Sequence, residues 1–263
     1  MSATLEILDL VAGFGAQEIL SRVTLRVDAG EVLGLLGANG SGKTTLLNCV
    51  SGHVPVRSGS IAIDGHSIAT LAPRERARRV SVVPQTYELP AGFTVRELIG
   101  MGRHPHVGFF ATPTRQDEEA VDKALHALAL GTAARTPVDR LSGGERQMVV
   151  LAMAMAQEAR LLLLDEPTTH LDVRHQAQIM ESIRAVSRGS GVATLAVLHD
   201  INLARRYCDR VVLLRAGQLV ADGPPREVLS AAALGSCYGV PPSFFRETPP
   251  TTAEPAPTRV RSH

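Results

Sequence analysis

An α/β fold built on a mostly parallel sheet is predicted by three features of the sequence. Short, nearly continuous apolar runs alternate with helix-spaced segments between about residues 31 and 215, the pattern of a parallel sheet covered on both faces. One run, Val32–Leu36, passes through a glycine-rich turn straight into a helix-spaced segment, Thr44–Val50, the start of a βαβ unit. The block 86–158 carries helical spacing and no strand pattern, which predicts a helical subdomain inserted into the α/β core.

The elements follow in order. Residues 4–12 and 18–27 alternate enough to form two strands of a meander, an antiparallel β part ahead of the core. Ser60–Ile63 is a strand stopped by the turn signal Asp64-Gly65. Val80–Val83 is a strand stopped by Pro84. Residues 94–102 and 115–130 are helical, with Val121, Leu125, Leu128 and Leu130 on or near one face. Gly143–Gln157 is a helix with Ser142 as its N-cap. Leu161–Leu164 is a buried strand, 173–188 a helix, Val192–Leu198 a strand and 201–206 a short helix. Val211–Leu214 and Gln218–Val220 flank Ala216-Gly217 and form a hairpin. Thr248–His263 is rich in Pro, Thr and Ala and is expected to be a flexible tail. One domain is thus expected over 1–247, followed by the tail at 248–263.

Composition narrows the function classes. The 263 residues are enough to bury a sizeable core. Lys and Arg number 27 against 26 Asp and Glu, a formal net charge of +1, so the strongly basic footprint of a nucleic-acid binder is missing. Cys49, Cys208 and Cys237 are odd in number and far apart, without a CxxC pair. They are expected to be small buried side chains in a reducing compartment. No signal peptide and no run of roughly 18 apolar residues is visible, so the chain is expected to be soluble and to reach a membrane only through a partner.

The chemistry begins at Gly37-Ala-Asn39-Gly40-Ser41-Gly42-Lys43-Thr44-Thr45, a full match to G-x-x-x-x-G-K-[ST] after a strand and opening a helix. Glycines let the backbone curl so that N–H groups face a β-phosphate, and the helix N-terminus adds partial positive charge. Lys43 reaches β- and γ-phosphates, the Thr44 hydroxyl can ligate magnesium, and Thr45 lies within reach of a phosphate oxygen. This marks a P-loop core that binds a nucleoside triphosphate. By itself the motif does not separate transporter, kinase and GTPase.

Leu161–Leu164 then ends in Asp165-Glu166. Asp165, at the carboxyl end of a strand, can hold magnesium, and Glu166 can polarise an attacking water as general base. Ser142-Gly143-Gly144-Glu145 forms a second phosphate-binding cap at a helix start. One nucleotide does not need two such caps. Two copies arranged head to tail would use both, each nucleotide lying between the P-loop of one chain and the Ser-Gly-Gly cap of the other.

With these motifs in this order, the chain resembles the ABC ATPase family over roughly residues 4–240. The resemblance implies ATP and Mg2+ as ligands and further site residues. Gln85 in Ser81-Val-Val-Pro-Gln85 matches the glutamine that contacts magnesium and water and senses a membrane subunit. Thr168-Thr169-His170-Leu171-Asp172 matches the loop after the catalytic glutamate, with Asp172 its acidic member. His199 matches the switch histidine at the γ-phosphate, and Phe14 the aromatic that stacks on adenine. Two positions depart from the commoner pattern: Glu145 stands where Gln is more usual, and Phe14 where Tyr is.

Phe93-Thr-Val-Arg-Glu-Leu98-Ile-Gly-Met-Gly-Arg103-His-Pro-His106 is similar to the corresponding segment of ATPases serving ferric siderophores, haem and cobalamin, where a Gly-Arg-x-Pro-His pattern recurs. It implies a docking role for a cytoplasmic helix of a permease, in a groove near Gln85; the alternative is a helix and loop with no docking role. His104 and His106 flank Pro105 at i, i+2 with no third ligand, which disfavours a metal site there. The expected partners are therefore a second copy, transmembrane permease subunits and, indirectly, an external binding protein, with no nucleic acid. The expected location is the cytoplasmic face of the membrane, through the permease. Glu166, His199, Lys43 and Gln85 are the expected catalytic set. Three alternatives stay open: an exporter ATPase, a non-transport ABC ATPase, and a regulatory module that holds ATP without cleaving it.

Overall fold

The computed structural model describes residues 3–107, 111–169 and 171–245. His170 and the tail expected at 248–263 lie outside them. The chain opens with a long hairpin, β1 (Ala3–Phe14) and β2 (Gln17–Asp28). The buried strand β3 (Val32–Leu36) leads into helix α1 (Lys43–Val50). Strands β4 (Val56–Ile63) and β5 (His66–Ser67), the short helix α2 (Pro73–Ala77) and strand β6 (Val80–Val83) follow. Between β6 and the next strand come the helices α3 (Val95–Met101), α4 (Arg115–Ala127) and α5 (Gly143–Ala156). The second half runs β7 (Leu161–Asp165), α6 (Val173–Ser190), β8 (Ala193–Val197), α7 (Ile201–Tyr207), β9 (Arg210–Arg215) and β10 (Gln218–Gly223). Helices α8 (Pro225–Val228) and α9 (Ala231–Tyr238) close it.

Two sheets result. The first is antiparallel, in the order β2-β1-β4-β5; the second has the order β10-β9-β3-β8-β7-β6. In the second sheet β9, β3, β8, β7 and β6 are parallel neighbours, and β10 is an antiparallel edge. Every residue of β3, β7 and β8 is buried, because apolar side chains leave both faces of these strands. Leu33, Leu35, Leu161 and Leu163 join the first sheet and α1 in one core. Val32, Leu36, Leu162 and Leu164 join α3 to α7 in the other. Burying each of these leucines contributes roughly 2 kcal/mol, so the central strands are fixed from both sides and their carboxyl ends form a rigid rim.

Helices α3 to α7 and α9 begin where short polar side chains cap them. Thr94 pairs with Glu97, Thr114 with Asp117, and Ser142 with Glu145. The segment expected to be helical over 115–130 stops at Ala127, and Leu128 and Leu130 still reach the core from the turn that follows. Helices α2, α8 and α9 have no counterpart in the sequence reading. All three cysteines are free and buried. Among the described residues no helix is long and apolar enough to cross a membrane.

Candidate nucleotide site

The strand β3 delivers the chain to Gly37, and the loop to Gly42 wraps the start of α1. Gly42 caps this helix with φ 107° and no side-chain cap. A Cβ there would sit 2.8 Å from the Leu20 side chain, so only glycine fits both the left-handed backbone and the space. Lys43 is 6% exposed. Its ammonium is folded back onto its own loop, donating to the carbonyls of Gly37 at 2.8 Å and Ala38 at 3.0 Å. Burial lowers its pKa below the ordinary lysine value, against the opposing fields of Glu166 and Asp165.

Three loops that leave the parallel strands converge on one carboxylate. Glu166 follows β7, Gln85 follows β6 and His199 follows β8. Gln85 Nε2 donates to Glu166 Oε2 at 2.8 Å, and His199 Nε2 lies 2.5 Å from Oε1. The Thr169 hydroxyl adds a third bond to Oε2 at 3.2 Å. Glu166 has φ 53°, a left-handed conformation that costs a non-glycine residue roughly 1–3 kcal/mol and is kept where surrounding bonds over-determine it.

Asp165 is buried, and burial raises its pKa, opposed first by a hydrogen bond from Thr44. Its Oδ1 has no hydrogen-bond partner, and neither has the buried Ser41 hydroxyl. Unpaired buried oxygens are rare because they cost desolvation without return. Oxygens from Thr44, Asp165 and Gln85 form the hard donor set that magnesium prefers, and the orphaned Asp165 oxygen supplies a free lone pair in it. The residues therefore fit magnesium.

A cleft of about 460 Å³ lies over this group. Asn39, Gly40, Gly42, Lys43, Thr44 and Thr45 line it from the loop, and Gln85, Glu166 and His199 from the opposite side. Ile19 of β2 also lines it; the sequence reading missed this residue, and named Thr169 only as part of its loop. Phe14 is 57% exposed at the end of β1.

The second cap is not part of that cleft's lining. Ser142 caps α5, its hydroxyl accepting from Glu145 N–H at 3.3 Å. In return the Glu145 carboxylate accepts the Ser142 hydroxyl at 2.7 Å and its backbone N–H at 2.8 Å. These bonds hold the Glu145 carboxyl below its ordinary pKa. They also account for the departure at this position, since either Glu or Gln closes a capping box. A Cβ on Gly143 would meet nothing within 4 Å, whereas one on Gly144 would lie 2.7 Å from the His175 ring. Asp172 caps α6, accepting the His175 N–H and facing its ring Nδ1, each at 2.9 Å. Asp172 thus reaches the second cap through His175, a residue no sequence signal marked.

The 93–106 segment does two things, which meet at Arg103: it lines a groove and it braces the subdomain. Phe93, Gly100, Met101 and His104 line a groove of about 730 Å³ between α3 and α4. Gln85 lines the nucleotide cleft instead. Arg103 is 3% exposed and bonds Asp117 at 2.9 Å, the Ala156 carbonyl at 2.7 Å and Glu158 at 2.9 Å. The Thr114 bonds, then Arg103, hold Asp117 down at about 2. His106 Nε2 lies 2.8 Å from the Gln157 carbonyl. The arginine and second histidine of the Gly-Arg-x-Pro-His pattern therefore tie α3 to the ends of α4 and α5.

A parallel sheet whose carboxyl rim carries a phosphate loop, an aspartate with one free buried oxygen and a clamped glutamate defines a P-loop nucleoside-triphosphatase. Residues 20–169 match the ABC transporter family profile, and the chain belongs to that family. It is 39% identical over 231 residues to the ferric enterobactin transport ATP-binding protein FepC of Escherichia coli (strain K12), covering 88% of this chain and 85% of that protein. It is 41% identical over 245 residues to the hemin import ATP-binding protein HmuV of Bordetella avium (strain 197N), covering 90% and 92%. Among solved structures, an ATP-binding subunit of an ABC transporter superposes with a TM-score of 0.75 at 27% identity, over 92% of this chain and 97% of that one. A bacterial Atm1-family exporter with ATP bound also gives 0.75, at 26% identity, over 89% of this chain and 41% of that one. Importers and exporters share this fold, so direction of transport is not legible in it.

Proposed function

We propose that the chain is the ATP-hydrolysing subunit of an importer that takes up an iron chelate, a ferric siderophore or haem, with cobalamin the nearest further cargo. The cargo class is supported by relatives named for ferric enterobactin and hemin transport and by a 36% identical achromobactin transport protein, CbrD of Dickeya dadantii (strain 3937), matched over 90% of both chains. The observation that carries the ATPase reading is the Glu166 carboxylate, held by Gln85, Thr169 and His199 at the cleft, next in sequence to an aspartate that keeps one buried oxygen unpaired.

Each residue has a role in this reading. The loop from Gly37 to Thr45 cradles the phosphates, with Lys43 exchanging its loop carbonyls for β- and γ-phosphate oxygens. Phe14 stacks on adenine. Thr44, Asp165 and Gln85 hold Mg2+, which when bound neutralises charge on the phosphate oxygens. Glu166 orients and deprotonates the attacking water, and His199 stabilises charge at the γ-phosphate. Ser142, Gly143, Gly144, Glu145 and Asp172 serve the nucleotide of a second, head-to-tail copy.

Closure of that dimer moves the 86–158 helical subdomain and drives alternating access in a transmembrane permease. The groove between α3 and α4, with Phe93 and Met101 in it, receives a cytoplasmic helix of the permease. A substrate-binding protein outside the membrane delivers the cargo, and the chain sits peripherally on the cytoplasmic side.

The test compares ATP hydrolysis by the parent and Glu166→Gln, each alone and each with the permease in lipid. The variant is expected to bind ATP, to accumulate as an ATP-bound dimer and to lose turnover on the order of hundreds-fold. A parent that hydrolyses nothing even with the permease would make the nucleotide a regulatory ligand instead.

A further inference from the structure

Phe14 is exposed at the tip of a two-stranded hairpin, and such tips are mobile unless something holds them. Two contacts hold this one. The Arg57 guanidinium, reaching from the neighbouring strand β4, donates to the carbonyls of Gly15 at 2.6 Å and Gln17 at 2.9 Å. These two carbonyls flank the turn directly after Phe14. Both bonds leave one guanidinium nitrogen, Nη2, which thus bridges both sides of the tip.

The second contact is Gly217, in the turn between β9 and β10. Its carbonyl accepts from Ser21 N–H of β2 at 2.9 Å, and its own N–H donates to the Ser41 carbonyl of the phosphate loop at 2.9 Å. Gly217 is buried, with φ +78°, and a Cβ on it would lie 2.1 Å from the Ile19 carbonyl. Only a glycine can stand this close between the hairpin and the phosphate loop. Ile19 and Ser21, on either side of the contact, belong to the strand that lines the cleft.

We propose that Arg57 and Gly217 are positioning residues for base recognition: they fix the hairpin carrying Phe14 and Ile19 at a set span from the phosphate loop, so that a triphosphate bearing a purine binds more tightly than a bare triphosphate. The proposal rests on the reading of Phe14 as the base-stacking residue. Arg57 touches neither base nor phosphate in this scheme and acts through the turn it bridges.

The test measures dissociation constants of the full chain for ATP and for inorganic tripolyphosphate, which lacks the base, both with magnesium. Phe14→Ala is expected to weaken ATP binding roughly tenfold and to leave tripolyphosphate unchanged. Arg57→Ala should weaken ATP binding about fivefold, with tripolyphosphate again unchanged and the loss expressed in KM for ATP rather than kcat. Arg57→Lys should recover part of it. Gly217→Ala should weaken both ligands, because it also displaces Ser41, and ATP more than tripolyphosphate, because it also displaces the hairpin. Gly65→Ala, at φ +75° with nothing within 4 Å of the added Cβ, is the control for backbone strain alone and should bind both like the parent.

An Arg57→Ala protein that binds ATP like the parent, or loses ATP and tripolyphosphate equally, overturns the proposal while the Phe14 reading stands. A Phe14→Ala protein with an unchanged ratio overturns both together. If Gly217→Ala does not fold, the Arg57 variants alone decide.

Discussion

The two helix N-termini expected to meet phosphate are built on opposite principles. At α1 the cap is Gly42, no side chain satisfies the first turn, the lysine is folded onto its own loop, and Ser41 and Asp165 keep buried oxygens without partners. At α5 the cap is Ser142, and the capping box with Glu145 satisfies the first turn from within. The first terminus carries an unmet demand that a ligand would meet. The second is at rest in the isolated chain and exposed. A site that binds nucleotide in one chain needs the first construction; a surface that meets nucleotide only when a second copy arrives can have the second.

That contrast is broken most severely by changing the two caps in parallel. Lys43→Ala removes the one buried cation at α1 and is expected to weaken ATP binding on the order of a hundredfold in the monomer. Ser142→Ala removes the α5 cap at a stability cost of about 1 kcal/mol and should leave monomer ATP affinity unchanged, while ATP-driven dimerisation and hydrolysis are lost. Titration calorimetry on the monomer and size-exclusion chromatography of each variant in a Glu166→Gln background separate the two effects. Equal loss of monomer affinity in both variants would mean that one chain uses both caps on one nucleotide.

The adjacent glycines sharpen the contrast at intermediate size. Gly144 is confined by the His175 ring at 2.7 Å from a built Cβ, and Gly143 faces open space. Gly144→Ala is therefore expected to lower folding stability by roughly 1–3 kcal/mol, and the double variant with His175→Ala should recover most of it in a double-mutant cycle. Gly143→Ala should fold as well as the parent or slightly better, yet lose hydrolysis if, as proposed, the space it fills receives the nucleotide of a second copy. Denaturant melts and turnover assays on the set check both. If Gly143→Ala turns over normally, that face does not approach phosphate.

Most of the fold was legible because its signals are local. Val32–Leu36, Leu161–Leu164 and Val192–Leu198 read as strands since apolar side chains leave both faces, and the phosphate loop read at once because its glycines and Lys43 are contiguous. Ser142 was visible as a cap for the same reason. The residues that were missed act across the chain. His175 matters through Gly144, 31 positions earlier in numbering. Ile19 and Gly217 meet only because β9 lies beside β3, a strand adjacency that no local pattern specifies. The Gly-Arg-x-Pro-His pattern was legible as a pattern but not as packing: the burial of Arg103 depends on Asp117, from α4, and Glu158, from the turn after α5.

The smallest expected effect lies in the cap's own chemistry. Ser142 O–H and N–H stabilise the ionised Glu145 carboxylate and hold its pKa below the ordinary value in the folded chain. In the unfolded chain that preference is gone. The stabilisation is therefore complete above the ordinary carboxylate pKa and is lost as pH falls through the lowered folded value. Glu145→Gln keeps an acceptor for both bonds without a titrating proton. It is expected to melt within about 0.5 kcal/mol of the parent at neutral pH, and to lose less stability than the parent between pH 5 and the acid unfolding transition. Lys43 and Asp165 give no such compensation, since the first cap has no internal acceptor to replace. Thermal melts of parent and variant across acid pH measure the difference directly. Parallel curves would mean that the Glu145 bonds are exchanged with solvent in solution, and that the second cap is then as open to an incoming phosphate as the first.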